Sequence, residues 1–226
     1  MRGWTPTVVA LVVTVLVAAC DRQPVGGAAA AGQVLEARAL VHSAVAIARR
    51  MKANPKLRLL MEESRAILIV PSDATGTPSA DSGGRLGVLL AHRHHRWSSP
   101  AFYDIGMLKV DARGGEAGSV AMMLMSDRAA DCFSRANTFS LNAGAGFTLV
   151  DAAERGQASV GGPADVIVWS DAKGTFDDAK IDVNHIGFEA DETSAYYGGN
   201  VVSARDVLTG KIANPREDPL DLVISG

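Results

Sequence analysis

Apolar positions along this chain follow two rhythms. From Gln33 to Met51, the residues Val34, Ala37, Val41, Ala44, Ala48 and Met51 recur every three or four positions, and Leu40 and Ile47 widen the stripe. That spacing predicts an amphipathic helix. Arg49, Arg50 and Lys52 cluster at its C-terminal end, where cations suit the helix macrodipole. Asn54-Pro55 then pairs a capping side chain with proline at the first helical position. A short second helix is expected over Lys56 to Ser64, with Leu57, Leu60 and Met61 inward and Lys56 and Arg58 at a basic rim. Beyond it the rhythm changes to short apolar runs that predict strands: Ala66–Val70 closed by Pro71, Leu86–Ala91, Met107–Arg113, Ser119–Met125, Phe139–Val150 and Ala164–Ser170. One helical run, Ser126 to Arg135, interrupts them, with Ser126 as cap and Ala129, Ala130 and Phe133 on its inner face. The expected class is α+β: N-terminal helices packed on an antiparallel, glycine-rich sheet with the makings of a barrel-like form.

Between two of these strands lies the stretch around which the chain is organised, Gly83 to Gly106. Its apolar run gives way to five polar residues, His92, Arg93, His94, His95 and Arg96, before Trp97. Ser98-Ser99-Pro100 breaks regular structure, since Pro100 restricts Ser99 and has no N–H. Ala101-Phe102-Tyr103 re-enters an apolar environment. If the polar segment is extended, His92 and His94 share a face and His95 points away. Arg93 and Arg96 beside them would repel a metal cation, so a solvated basic loop is expected rather than a metal site. At acidic pH the histidines would gain charge and strengthen attraction to anionic surfaces.

The first residues read as a targeting leader over 1–19. Arg2 is followed by the apolar run Val8 to Ala19, too short for a comfortable membrane span. It ends in Val17-Ala18-Ala19-Cys20, which resembles a bacterial lipobox. The implied chemistry is diacylglycerol attachment to Cys20, cleavage before it, and acylation of the new amino terminus, giving stable anchoring without a spanning helix. A flexible Ala/Gly-rich tether is expected over 20–32 and one domain over 33–226. The expected location is a bacterial cell envelope, facing the periplasm, on either the inner or the outer membrane. Cys132 is then the one cysteine left, so no intrachain disulfide forms, and it is expected as a buried structural thiol.

Composition sharpens this picture in one respect. Of 226 residues, 47% are hydrophobic and 21% charged, values of a globular chain. The formal net charge of −3 gives no support to nucleic-acid binding. Its distribution is uneven. Residues 33–113 hold twelve Lys/Arg and seven Asp/Glu, whereas 151–226 hold six and fourteen. The molecule is two-sided in charge along its sequence.

Read together, SRAILIVP, WSSPAFYDIG, VIVWSDAKG and AYYGGN, in that order, resemble the SYLF domain family. That family includes lipid-binding modules of eukaryotic actin-patch proteins and many bacterial lipoproteins. The resemblance runs from about Val34 to Gly210 and includes the short helix expected over Ser203 to Gly210. It departs from the family pattern at Ala66, where a glycine is usual, and at Thr175 and Asp177-Asp178, which replace an apolar residue and glycine. It implies a non-catalytic domain that binds anionic lipids, phosphoinositides in eukaryotic members, and some of those members also bind actin.

Catalytic signatures are lacking. There is no Gly-x-Ser-x-Gly elbow, HExxH pair or zinc-ribbon cysteine set. Gly144 and Gly146 lack the spacing of a nucleotide loop, and Asp177, Asp178, Asp182 and Asn184 lack that of an EF-hand. His42 and His185 are isolated and expected to be structural. From charge and position alone, the candidate headgroup contacts are Arg49, Arg50, Lys52, Lys56, Arg58, Arg93 and Arg96, with Trp97 as interfacial anchor. No cofactor or metal is expected. Two other readings stand beside this one: a protein-interaction module with an envelope partner, and an unrecognised metal-dependent enzyme using the acidic cluster or the histidines.

Overall fold

In a computed structural model of the protein, the described residues are 26–72, 84–106, 108–110, 118–135, 138–141, 147–151, 166–171, 181–214 and 220–225. Two helices come first, α1 (Gly26–Ala53) and α2 (Pro55–Glu63). The strands are β1 (Ala66–Val70), β2 (Arg85–Arg93), β3 (Arg96–Trp97), β4 (Ala101–Ile105), β5 (Leu108–Val110), β6 (Val120–Leu124), β7 (Thr138–Leu141), β8 (Phe147–Asp151), β9 (Val166–Ser170) and β10 (Ile181–Phe188). Helix α3 (Asp127–Arg135) follows β6, and α4 (Ala190–Tyr196), α5 (Ala204–Leu208) and α6 (Leu220–Ser225) follow β10. This is the α+β class expected from the sequence.

The strands form one sheet in the order β5-β10-β4-β2-β1-β6-β9-β8, with β3 added to β2 and β7 to β10. Among the described residues no pairing joins β8 to β7 or β5, so the sheet is open and not a closed barrel. Its pairs are antiparallel except β8 with β9, which is parallel. The expected strand over Phe139–Val150 is two strands, β7 and β8, separated in the sheet.

The central strands β1, β4 and β6 are buried at every position. Neighbouring side chains of a strand point to opposite faces, so a continuously apolar strand needs cover on both. Strand β4 shows how this is met. The Phe102 ring packs on Tyr196 of α4, and the Tyr103 ring on Phe133 of α3, each with centroids 5.3 Å apart. The Tyr103 hydroxyl donates to the Phe133 carbonyl at 2.6 Å, and burial pushes the phenol pKa up. Helix α1 contributes Ala37, Leu40, Val41, Ala44, Val45, Ile47, Ala48 and Met51 to the same core. Each large apolar side chain so buried contributes on the order of 1.5–3 kcal/mol.

The expected caps are present. Asn54 Oδ1 accepts from Lys56 N at 3.0 Å and Leu57 N at 3.4 Å, with Pro55 opening α2. Ser126 Oγ accepts from Ala129 N at 3.2 Å, and Ser203 Oγ from Asp206 N at 3.1 Å.

Two expectations are corrected. Helix α1 begins at Gly26, so residues 26–32 are helical and not a tether. Alanine has the strongest helix propensity, and the run Ala28 to Ala31 extends the helix backwards. Cys132 is exposed rather than buried, because the inward pair of α3 is Ala130 and Phe133, and Cys132 lies off that stripe. His42 is likewise exposed.

Candidate functional site

Strand β2 runs past Ala91 into the polar residues and turns back through β3, with His92 paired to Trp97 and Arg93 to Arg96. The segment is therefore a two-residue hairpin and not an extended loop. Its turn residues, His94 at φ 50° and His95 at φ 61°, both occupy the left-handed region. Two such residues make the type I′ turn that suits the twist of a hairpin. Asparagine and glycine usually fill it, and a histidine there carries strain on the order of 1 kcal/mol. The sequence departs from the usual turn chemistry at the most basic point of the chain.

Hydrogen bonds fix the hairpin's base. Ser98 N donates to Ala91 O at 2.8 Å, and Ser98 Oγ accepts from Ala91 N at 3.0 Å. Ser99 Oγ donates to Ile212 O at 3.4 Å, and Tyr197 donates its hydroxyl to Pro100 O at 2.9 Å. WSSPAFYDIG and AYYGGN, about a hundred residues apart in sequence, thus meet through a buried tyrosine. Above the base, the Trp97 indole stacks on the His92 imidazole with centroids 4.6 Å apart and planes within 8°. His92 Nδ1 lies 3.3 Å from Ser64 O.

This hairpin forms one wall of a groove of about 400 Å³. Arg93, His94, Arg96 and Trp97 line that wall, Leu208 to Gly210 and Ile212 to Asn214 the other, and Asp221 of α6 closes it. Gly210, at φ 73°, ends α5 and turns the chain into the second wall. Arg93 donates to Asp131 Oδ1 at 2.9 Å, and Arg135 to Asp131 Oδ2 at 2.6 Å. The hydrogen bond from Arg93, with the Arg135 charge beside it, holds the Asp131 carboxyl below the usual carboxylate range. Arg96 is exposed and has no ion-pair partner among the described residues.

The other candidate cations lie elsewhere. Arg50 pairs with Asp171 at 2.7 Å, which fastens the end of α1 beside the Ser170 end of β9. The registers Val70↔Val120 and Val120↔Ser170 put that end at Val70, whereas Ala66↔Ala91 puts the hairpin at the opposite end of β1. At roughly 3.3 Å per residue the two ends are at least ~13 Å apart. Arg58 pairs with Glu62 at 3.7 Å within α2. The Lys52 pKa is lowered by burial and by Arg58, against the pull of Glu62. Arg49 and Lys56 are exposed. The candidate contacts therefore divide into an α1/α2 group and a hairpin group. Trp97 is half-buried and stacked, so it is a wall of the groove rather than a free-standing anchor.

Sequence reading missed Ile212 and Asp221, which complete the groove from distant segments, and Asp131 of α3, which holds Arg93. It also missed an acidic cluster formed by Glu36 of α1 with Glu189, Asp191 and Glu192. Asp104 is 1% exposed, and neither carboxylate oxygen has a hydrogen-bond partner among the described residues; His185 Nε2 lies 3.9 Å away. Glu192 is 8% exposed. Burial, with Glu36, Glu189 and Asp191 nearby, pushes its pKa up to about 7. Among the described residues no group of three or more His, Cys, Asp or Glu is placed to hold a metal ion. Asp177, Asp178, Cys20 and the Gly144–Gly146 segment lie outside the described residues, as do the side chains of Asp182 and Asn184.

Residues 112–223 match the family Ysc84, described as Las17-binding protein actin regulator. That span runs from β6 through α5 into α6 and includes VIVWSDAKG and AYYGGN; the hairpin precedes it. The chain is also 30% identical over 135 residues to the SH3 domain-containing protein PJ696.02 of Schizosaccharomyces pombe (strain 972 / ATCC 24843). The match covers 57% of this chain and 31% of that protein, so this chain spans about a third of the relative's length. Through the domain ending in AYYGGN and α5, the chain belongs to the Ysc84, or SYLF-domain, family.

Proposed function

We propose that this domain is a non-catalytic module that binds anionic lipid headgroups, held at a bacterial envelope membrane by lipidation of Cys20 on the periplasmic side. The observation that carries the reading is the hairpin groove. It gathers Arg93, His94 and Arg96 with Trp97 in a concave site of about 400 Å³, within the size range of small-molecule sites. Arginine offers planar, fixed donors to phosphate, and tryptophan suits the boundary between apolar and wet surroundings. Arg49, Lys56 and their neighbours on α1 and α2 add long-range attraction to an anionic surface without sharing the groove.

The test uses the full chain on phosphatidylcholine vesicles with and without phosphatidylglycerol. An acylated Cys20 would contribute equally to both, so the difference reads the domain. The expected result is tighter binding to the anionic vesicles that weakens with salt. Equal binding to both vesicle types at low salt would refute the headgroup reading.

A second reading is favoured by the family's description as actin regulators: a protein-interaction module with a protein partner in the envelope. Capture of one stoichiometric envelope protein, together with equal binding to the two vesicle types, would select it.

A further inference from the structure

We infer that the groove takes a single anionic lipid as an amphiphile, with its phosphate at the hairpin wall and its first methylenes against Trp97 and Ile212. The inference rests on the headgroup reading above and names the form in which the ligand is bound.

Three observations carry it. Among the described residues the paired candidate cations are spread out, with Arg50 beside the Val70 end of β1 and Arg93 at its Ala66 end, and Arg50, Arg58 and Arg93 are paired with Asp171, Glu62 and Asp131. The exposed Arg96 instead borders a concavity. That concavity has an apolar side, because Trp97 and Ile212 are partly buried hydrophobic residues packed against the core. The stack on His92 holds the indole in place, and the bond from Ser99 to the Ile212 carbonyl holds the facing wall. Finally, the groove is polarised. Arg93, His94 and Arg96 stand on the hairpin, while Asp221 stands on α6. An anion is attracted to the first and repelled by the second, which sets the direction of an amphiphile in the groove. A purely ionic ligand would leave the apolar walls unused.

The experiment is a titration of the full chain with short-chain phosphatidic acid, kept below its micelle concentration, and with glycerol 3-phosphate. One-to-one, saturable binding of the short-chain lipid is expected, about tenfold tighter than glycerol 3-phosphate, as roughly two buried methylenes would give. Ile212→Ser should erase most of that advantage and leave glycerol 3-phosphate affinity unchanged. Ala213→Trp adds bulk at an exposed position of the wall without touching the core. It should weaken the short-chain lipid about tenfold at an unchanged melting temperature. The groove inference is overturned if anionic vesicles are still preferred but the short-chain lipid binds no tighter than glycerol 3-phosphate. It is equally overturned if Ala213→Trp binds the lipid as the parent chain does. Loss of vesicle preference together with no binding of either soluble ligand removes the headgroup reading and this inference with it.

Discussion

The two basic regions of this domain are similar in composition and different in construction. On α1 and α2 the cations stand on helix surfaces, where Arg50 and Arg58 have found carboxylates and Arg49 and Lys56 face solvent. At the Ala66 end of β1, a strained two-histidine turn carries Arg93 and Arg96 over a groove with an aromatic wall. Charge alone does not distinguish the two. What differs is concavity and the apolar surface beside the charge, and these convert a diffuse attraction into a site for one molecule.

The strongest way to break the comparison is charge reversal in each region separately. Arg96 would donate directly to the phosphate, and a hydrogen bond to a charged group contributes about 2 kcal/mol, whereas Arg49 and Lys56 would act from a distance through screening solvent. Arg96→Glu is therefore expected to weaken anionic-vesicle binding about thirtyfold, and Arg49→Glu with Lys56→Glu only severalfold. Vesicle sedimentation ranks them, and the opposite ranking would move the site to the helices.

Changing pH perturbs the carboxylates packed beside α1. Glu192 of α4, facing Glu36 of α1, has its pKa raised from about 4.5 to about 7. The unfolded chain releases this proton at lower pH than the folded one. Stability therefore falls as pH rises between these values and levels off above them. Glu189 is shifted in the same direction, by burial and then by Asp104. Glu192→Gln should match the parent chain near pH 5 and exceed it at pH 8, by on the order of 2 kcal/mol. Thermal melts at both pH values check this; a parallel loss in both proteins would sink it.

A third change isolates the turn. His94-His95 replaced by Asn-Gly should stabilise the fold by about 1 kcal/mol in urea titrations, since the left-handed strain is relieved. Binding through Arg96 should persist, because the register Arg93↔Arg96 is kept. The smallest effect is expected at Arg50→Ala. In its pair with Asp171 the arginine is exposed, and pairs so open to solvent contribute at most about 1 kcal/mol. A larger loss would show that this pair is structural.

Much of the fold was legible because local rules and burial agreed. The stripe of α1, the run AILIV and the Asn54-Pro55 cap each read the same way in sequence and in space. Where two local readings were equally allowed, the sequence left the choice open. The Ala/Gly run before Gln33 has the composition of a linker and the propensity of a helix, and the helix won. His94-His95 carries no turn signature, so the hairpin was not visible, although both arginines that flank it were. Cys132 sits one residue from the inward Phe133, and a turn of about 100° per residue is enough to expose it. The rest was long-range. The place of β10 between β4 and β5 depends on partners far apart in sequence. So does the second wall of the groove, where Ile212 reaches the hairpin through Ser99 across more than a hundred residues.

The most direct test is hydrogen–deuterium exchange of the full chain on anionic against neutral vesicles. The expected result is added protection in 92–99 and 208–214 on the anionic surface, with 47–58 little changed. Protection confined to 47–58, with the hairpin exchanging equally on both surfaces, would contradict the assignment of the groove as the headgroup site.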